Sequence, residues 1–150
     1  MDTSAVLEYG APEPGETASV MADKLRFHTD AWALSADVKA KHPAIVVIDA
    51  RSHDAYVQAH IPGAVSLPHR EMMRASTRHL DPDKVYVVYC DGIGCNASTK
   101  GTYKLSQLGF RAKELLGGLD WWRRDGHPIE RLHEASGTRG AAEHPQPPPA

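Results

Sequence analysis

Cysteine is scarce in this chain: two residues in 150, Cys90 and Cys95. That is too few for a disulfide scaffold, and the default reading is a reduced, cytoplasmic protein. No apolar stretch approaches the roughly 18 residues a membrane helix needs, so neither a span nor a membrane partner is expected. Charge of one sign is also missing. The net charge is -2 with His neutral, which leaves no basic surface for nucleic acid. The N-terminal Met1-Asp2-Thr3-Ser4-Ala5 has no basic region followed by an apolar segment and does not read as a secretory signal. The nine histidines form no close Cys/His cluster with zinc spacing, so no metal site is expected. There is no internal repeat. The length suits one domain with a real core.

What is present is an alternation of strand and helix patterns. Residues 1–23 carry Gly10, Pro12, Pro14 and Gly15 among acidic residues and read as a flexible leader. Lys24–His28 alternates and reads as a short strand. Thr29 or Asp30 caps a helix to about Lys41, with Trp32, Leu34 and Val38 inward. Ala44-Ile45-Val46-Val47-Ile48-Asp49-Ala50-Arg51 is the strongest strand, and its unbroken apolar run implies burial on both faces. A short helix from Ser52 or His53 to Gln58, a His60–Ala64 turn and a brief Val65–Leu67 strand follow. Pro68 opens a helix containing Met72, Met73 and Leu80. Beyond the Asp81–Asp83 turn lie strand Val85–Tyr89, a helix to Leu108 ended by Gly109, and strand Ala112–Leu116. Gly117-Gly118 then turns into a short helix with Trp121 and Trp122, stopped by Gly126 and Pro128. Residues 24–134 form the domain, and the Pro-rich residues 135–150, including His144, a disordered tail. The order predicts an α/β fold: a parallel sheet flanked by helices on both faces.

The chemistry concentrates after Val85-Tyr86-Val87-Val88-Tyr89. The strand ends at Cys90, Gly92 and Gly94 turn the backbone, and Asn96-Ala97-Ser98-Thr99 offers side-chain oxygens to start a helix. A cysteine at the carboxyl end of such a strand sits where open α/β sheets bind ligands. Loop N–H groups and the helix dipole favour an anion there. A free thiol has a pKa near 8.5, and a partly buried helix-terminus interaction is worth up to about 2 kcal/mol, enough to lower it by a unit or more. Cys90 is therefore expected to be a reactive thiolate. The competing reading is a small buried hydrophobe. A dinucleotide fingerprint over Gly92–Ala97 is disfavoured, because Glu114 does not end a following strand.

Several segments together resemble the rhodanese, or sulfurtransferase, domain. Ile48-Asp49-Ala50-Arg51 is similar to its strand ending in Asp-x-Arg. Ala59-His60-Ile61-Pro62-Gly63-Ala64 is similar to its Gly-His-Ile-Pro-Gly-Ala segment, with Ala59 in place of glycine. Tyr89-Cys90 occupies the place of its catalytic cysteine. Leu116-Gly117-Gly118, Trp122, Gly126 and Pro128 match its ending. The resemblance covers about Leu25 to Glu130. It implies that Cys90 attacks the outer sulfur of a donor such as thiosulfate and forms a persulfide. The amides of Asp91, Gly92, Ile93, Gly94, Cys95 and Asn96 would cradle the anionic sulfur, and cyanide or a thiol would accept it. No metal or organic cofactor is required, and a homodimer is left open.

The loop departs from the common family pattern. Cys95 and Asn96 stand where arginine and serine are common, and Cys90 lies about two residues further from Gly109-Phe110. A subgroup with Cys-x4-Cys-Asn loops looks closer. Phosphatases and arsenate reductases of this fold need Cys-x5-Arg to grip an oxyanion, and here Asn96 holds that position, with Lys100 the only nearby substitute. Cys95 either packs the loop or helix start, or attacks a Cys90 persulfide, releasing sulfide and leaving a disulfide; packing is preferred. Arg51, grouped with the loop as a candidate binding residue, either braces the site against a carboxylate or helps bind an anionic donor; bracing is preferred. His60 is expected to bond the turn backbone rather than donate a proton, and at least one of Trp121 and Trp122 to pack the core. The rival function is a noncatalytic binding or redox-sensing module.

Overall fold

The computed structural model describes residues 3–132. Its centre is a five-stranded, wholly parallel sheet in the order β1-β5-β4-β2-β3. The strands are β1 (His28–Thr29), β2 (Ile45–Asp49), β3 (Val65–Ser66), β4 (Val85–Tyr89) and β5 (Arg111–Leu115). The helices are α1 (Pro14–Phe27), α2 (Ala31–Ala40), α3 (His53–Gln58), α4 (Ala97–Gln107) and α5 (Gly118–Arg124). No helix among the described residues is long and apolar enough to cross a membrane.

Alternation along the two central strands divides the core between the two faces of the sheet. Val47, Val87 and Tyr89 pack with Ala31 and Leu34 of α2 and Leu119 and Trp122 of α5. Ile48, Tyr86, Val88 and Cys90 pack with Leu105 of α4 and with Met72. Helix α4 lies close to its face because Gly101 has no side chain. A Cβ there would come within 3.0 Å of both Met72 Cε and Val88 Cγ1.

Register brings the functional ends together. Ile48 pairs with Val88 and Asp49 with Tyr89, so β2 and β4 finish side by side. From β2 the chain first adds β3 at one edge, then returns to place β4 on the other side of β2. Such a reversal opens a crevice at the carboxyl ends of the strands, the usual ligand site of an open parallel sheet.

Four expectations need correction. Residues 14–27, read partly as leader and partly as a Lys24–His28 strand, form α1. Pro14 occupies its first turn, and Glu16 reaches back to the Glu13 N–H at 2.9 Å, a helix-start signal that outweighs a five-residue alternation. Trp32 is 79% exposed, because Ala31, Leu34 and Val38 form the inner stripe of α2 and Trp32 falls on the other side. Pro68 opens only a 3-10 turn over His69–Glu71. Beyond it Ser76 Oγ bonds the Glu71 and Met73 carbonyls and Thr77 Oγ1 the Met73 carbonyl, local bonds that replace a helical ladder. Met72 is buried there but Met73 is exposed. Finally, Asn96 stands at the N-cap of α4 without a side-chain capping bond. The expected tail, residues 135–150, lies outside the described residues.

Candidate active site

Cys90 follows β4 directly and is 1% exposed. The loop after it doubles back: the Cys95 N–H donates to the Gly92 carbonyl at 3.1 Å. This turn brings Cys95 over Cys90, and the two sulfurs form a disulfide with Cα atoms 6.2 Å apart. The expectation of free thiols is corrected here. Cys95 does pack against the Ile48–Val88 face, as expected, but it also pairs with Cys90. Two cysteines cannot make a scaffold, yet five residues apart on a tight loop they can make one bond.

The rest of the loop is arranged differently from residue to residue. Among the described residues, the N–H groups of Asp91, Gly92, Ile93, Gly94 and Asn96 have no protein acceptor, which leaves five donors for an anion. The Ile93 side chain is 85% exposed and contributes only its backbone. Asn96 instead gives its carbonyl to the Lys100 N–H at the start of α4.

Arg51 braces this loop. Its Nε and Nη2 donate to Asp49 carboxylate oxygens at 3.0 and 2.7 Å, and Nη1 donates to Asp91 Oδ1 at 3.1 Å. Nη2 also donates to the Ala59 carbonyl at 2.5 Å. Burial disfavours the Arg51 charge, but the hydrogen bond and charge of Asp49 outweigh it and raise the guanidinium pKa above its ordinary value. Tyr89 completes the cluster: its hydroxyl donates to Asp49 Oδ2 at 2.8 Å and accepts the Ile61 N–H at 3.1 Å. Burial first, and then the Asp49 charge, push the Tyr89 phenol far up, so it stays protonated. Of Arg51's two candidate roles, the geometry carries out bracing, with every guanidinium nitrogen already engaged.

The Gly117-Gly118 turn supports the loop from below. Leu119 N–H donates to the Cys90 carbonyl at 2.9 Å and Asp120 N–H to the Asp91 carbonyl at 2.7 Å. A Cβ on Gly118, whose φ is +58°, would lie 2.4 Å from the Cys90 carbonyl oxygen. The paired glycine is thus a requirement of the cysteine loop, a role that spacing alone did not disclose. Also missed was His69. It begins the 3-10 turn beside the end of β2, donating its N–H to the Ala50 carbonyl at 3.1 Å. Its own carbonyl accepts Lys104 Nζ at 2.7 Å. Burial, and then Lys104, Lys100 and Arg70, push the His69 imidazole pKa down. A lone histidine after a proline gives no sequence signal of this.

His60 bonds the Tyr56 carbonyl through Nδ1 at 2.7 Å and stacks on the Tyr56 ring, a structural role whose backbone partner lies in α3 rather than in the expected turn. Trp122 is fully buried, with Nε1 donating to the Pro128 carbonyl at 2.8 Å, while Trp121 is 45% exposed.

The fold and site place the chain in a class: a parallel α/β sheet with a cysteine at a glycine-bearing loop on its switch point. A model of the Rhodanese-like domain matches residues 29–125, and the chain belongs to that family. It is 32% identical over 103 residues to the thiosulfate sulfurtransferase GlpE of Coxiella burnetii, covering 67% of this chain and 87% of that protein. It is 30% identical over 86 residues to an HTH-type transcriptional regulator of Mycobacterium tuberculosis, covering 57% of this chain but only 38% of the regulator. The solved structure of the BH2092 protein from Bacillus halodurans matches with a TM-score of 0.77 at 39% identity, covering 79% of this chain and 87% of that one.

Proposed function

We propose that the reduced protein is a sulfurtransferase that carries sulfane sulfur as a persulfide on Cys90. The observation that carries this reading is the position of Cys90. It follows β4 at the switch point, beside a loop with five N–H groups that no protein acceptor takes. Those donors suit a thiolate and then the terminal sulfur of a persulfide. Thiosulfate is the proposed donor, and the chain's likeness to GlpE supports it. The Cys90 thiolate attacks the outer sulfur, the sulfur–sulfur bond of thiosulfate breaks, and sulfite leaves with the electron pair. Cyanide or a thiol then takes the sulfur. Phosphoryl chemistry is disfavoured because Asn96 replaces the gripping arginine and Arg51 is committed to Asp49 and Asp91.

The test is release of sulfite from thiosulfate by the reduced protein. Activity that falls to background in Cys90→Ser supports the assignment; activity retained in that variant overturns it. The disulfide favours a second reading, a noncatalytic redox-sensing module. That reading expects no sulfite from the fully reduced wild type.

A further inference from the structure

We infer that Cys95 is a resolving cysteine, which makes the domain a sulfide-releasing reductase of sulfane sulfur rather than only a transferase. This rests on the persulfide reading above and names what consumes the persulfide.

Three observations carry it. Cys95 stands at bonding distance of Cys90, delivered there by the Gly92–Cys95 turn. Cys95 also lies immediately before the N-cap of α4, an eleven-residue helix whose positive end favours a thiolate at that position. And the Cys90 sulfur, on a residue 1% exposed, is bonded to Cys95 in this structure, so Cys95 is the thiol placed to attack that inner sulfur.

The chemistry balances in three steps. Cys90 first takes the outer sulfur of thiosulfate and sulfite leaves. The Cys95 thiolate then attacks Cys90 Sγ. A Cys90–Cys95 bond forms, the bond to the outer sulfur breaks, and hydrosulfide leaves with the electron pair. The transferred sulfur is reduced by two electrons and the two cysteines are oxidised to the disulfide. A small dithiol, or a protein bearing one, then reduces the disulfide and is itself oxidised. The sum converts thiosulfate and a dithiol to sulfite, sulfide and an oxidised dithiol.

Single turnover separates this from simple transfer. Pre-reduced protein, freed of reductant and kept anaerobic, is mixed with one equivalent of thiosulfate and no thiol. Wild type is expected to release about one sulfide for each sulfite and to end about 2 Da lighter, as the disulfide. Cys95→Ser and Cys95→Ala are expected to release sulfite but less than about a tenth of the sulfide, and to hold a gain of about 32 Da. Cyanide should then discharge that sulfur as thiocyanate, showing that the variants are folded and competent. A wild-type persulfide that persists as long as that of the variants overturns the resolving role while leaving the transferase reading intact. No sulfite from any of the proteins overturns both. Because the wild-type ratio of sulfide to sulfite is itself decisive, the test does not depend on either variant folding.

Discussion

Asp49 is completely buried, and its two oxygens accept from the Arg51 backbone, the Arg51 guanidinium and the Tyr89 hydroxyl. Burying a carboxylate is tolerated when its oxygens are partnered in this way. Removing one partner therefore costs more than the bond itself. Arg51→Met should destabilise the protein by about 3–5 kcal/mol, because it leaves Asp49 buried and unpaired. Tyr89→Phe should cost about 1–3 kcal/mol, since Asp49 Oδ2 loses one of its donors and the Ile61 N–H loses its acceptor. Urea unfolding of each variant checks both figures and their order. The Asp-x-Arg pair was legible at the end of the strongest strand, and so was its bracing role. The tyrosine's part was not, because pattern assigns Tyr89 only to a core face, and its hydroxyl finds Asp49 through strand register.

At the scale of elements, the site is a loop held by its neighbours. The turn into α5 donates two N–H groups to the Cys90 and Asp91 carbonyls, and Gly118 makes that approach feasible. Gly118→Ala meets a left-handed backbone and a carbonyl oxygen at 2.4 Å. The expected loss is about 2–4 kcal/mol, with slower sulfur loading of Cys90 in whatever folds. Thermal unfolding and a single-turnover sulfite assay read the two effects. The 3-10 turn makes a pH prediction. His69 has its pKa lowered by burial and by Lys104, Lys100 and Arg70. Below its ordinary value near 6.5 the unfolded chain binds a proton that the folded chain resists, so acid favours unfolding. Stability should fall as pH drops below about 6.5, and His69→Gln should flatten that slope in pH-dependent urea midpoints. An unchanged slope would place the acid sensitivity elsewhere. Elements with a strong apolar run or a glycine stop (β2, β4, α4, β5 and α5) were legible in sequence. Those decided by side chain–backbone bonds were not: α1 depends on Glu13, Pro14 and Glu16, and the residues after Glu71 on Ser76 and Thr77.

For the whole molecule, topology does most of the functional work. The switch between β3 and β4 places two sequence-distant segments, Asp49–Arg51 and Tyr89–Cys90, at one crevice. The parallel α/β class and the candidate cysteine were readable because alternating strands and helices with a cysteine at a strand end allow few arrangements. The disulfide was readable only as the less favoured alternative for Cys95, because spacing shows that two thiols share a loop but not that the loop folds back at Gly92. Trp122 joins α5 to the sheet and to Pro128, and Trp122→Ala should cost about 3–5 kcal/mol in urea unfolding.

The most direct test of the central claim is intact and peptide mass spectrometry of reduced Cys95→Ser and Cys90→Ser proteins after thiosulfate treatment. Sulfur carriage on Cys90 predicts a gain of one sulfur, about 32 Da, in Cys95→Ser, located on the peptide containing Cys90 and absent from Cys90→Ser. No gain in Cys95→Ser, or an equal gain in Cys90→Ser, would contradict it.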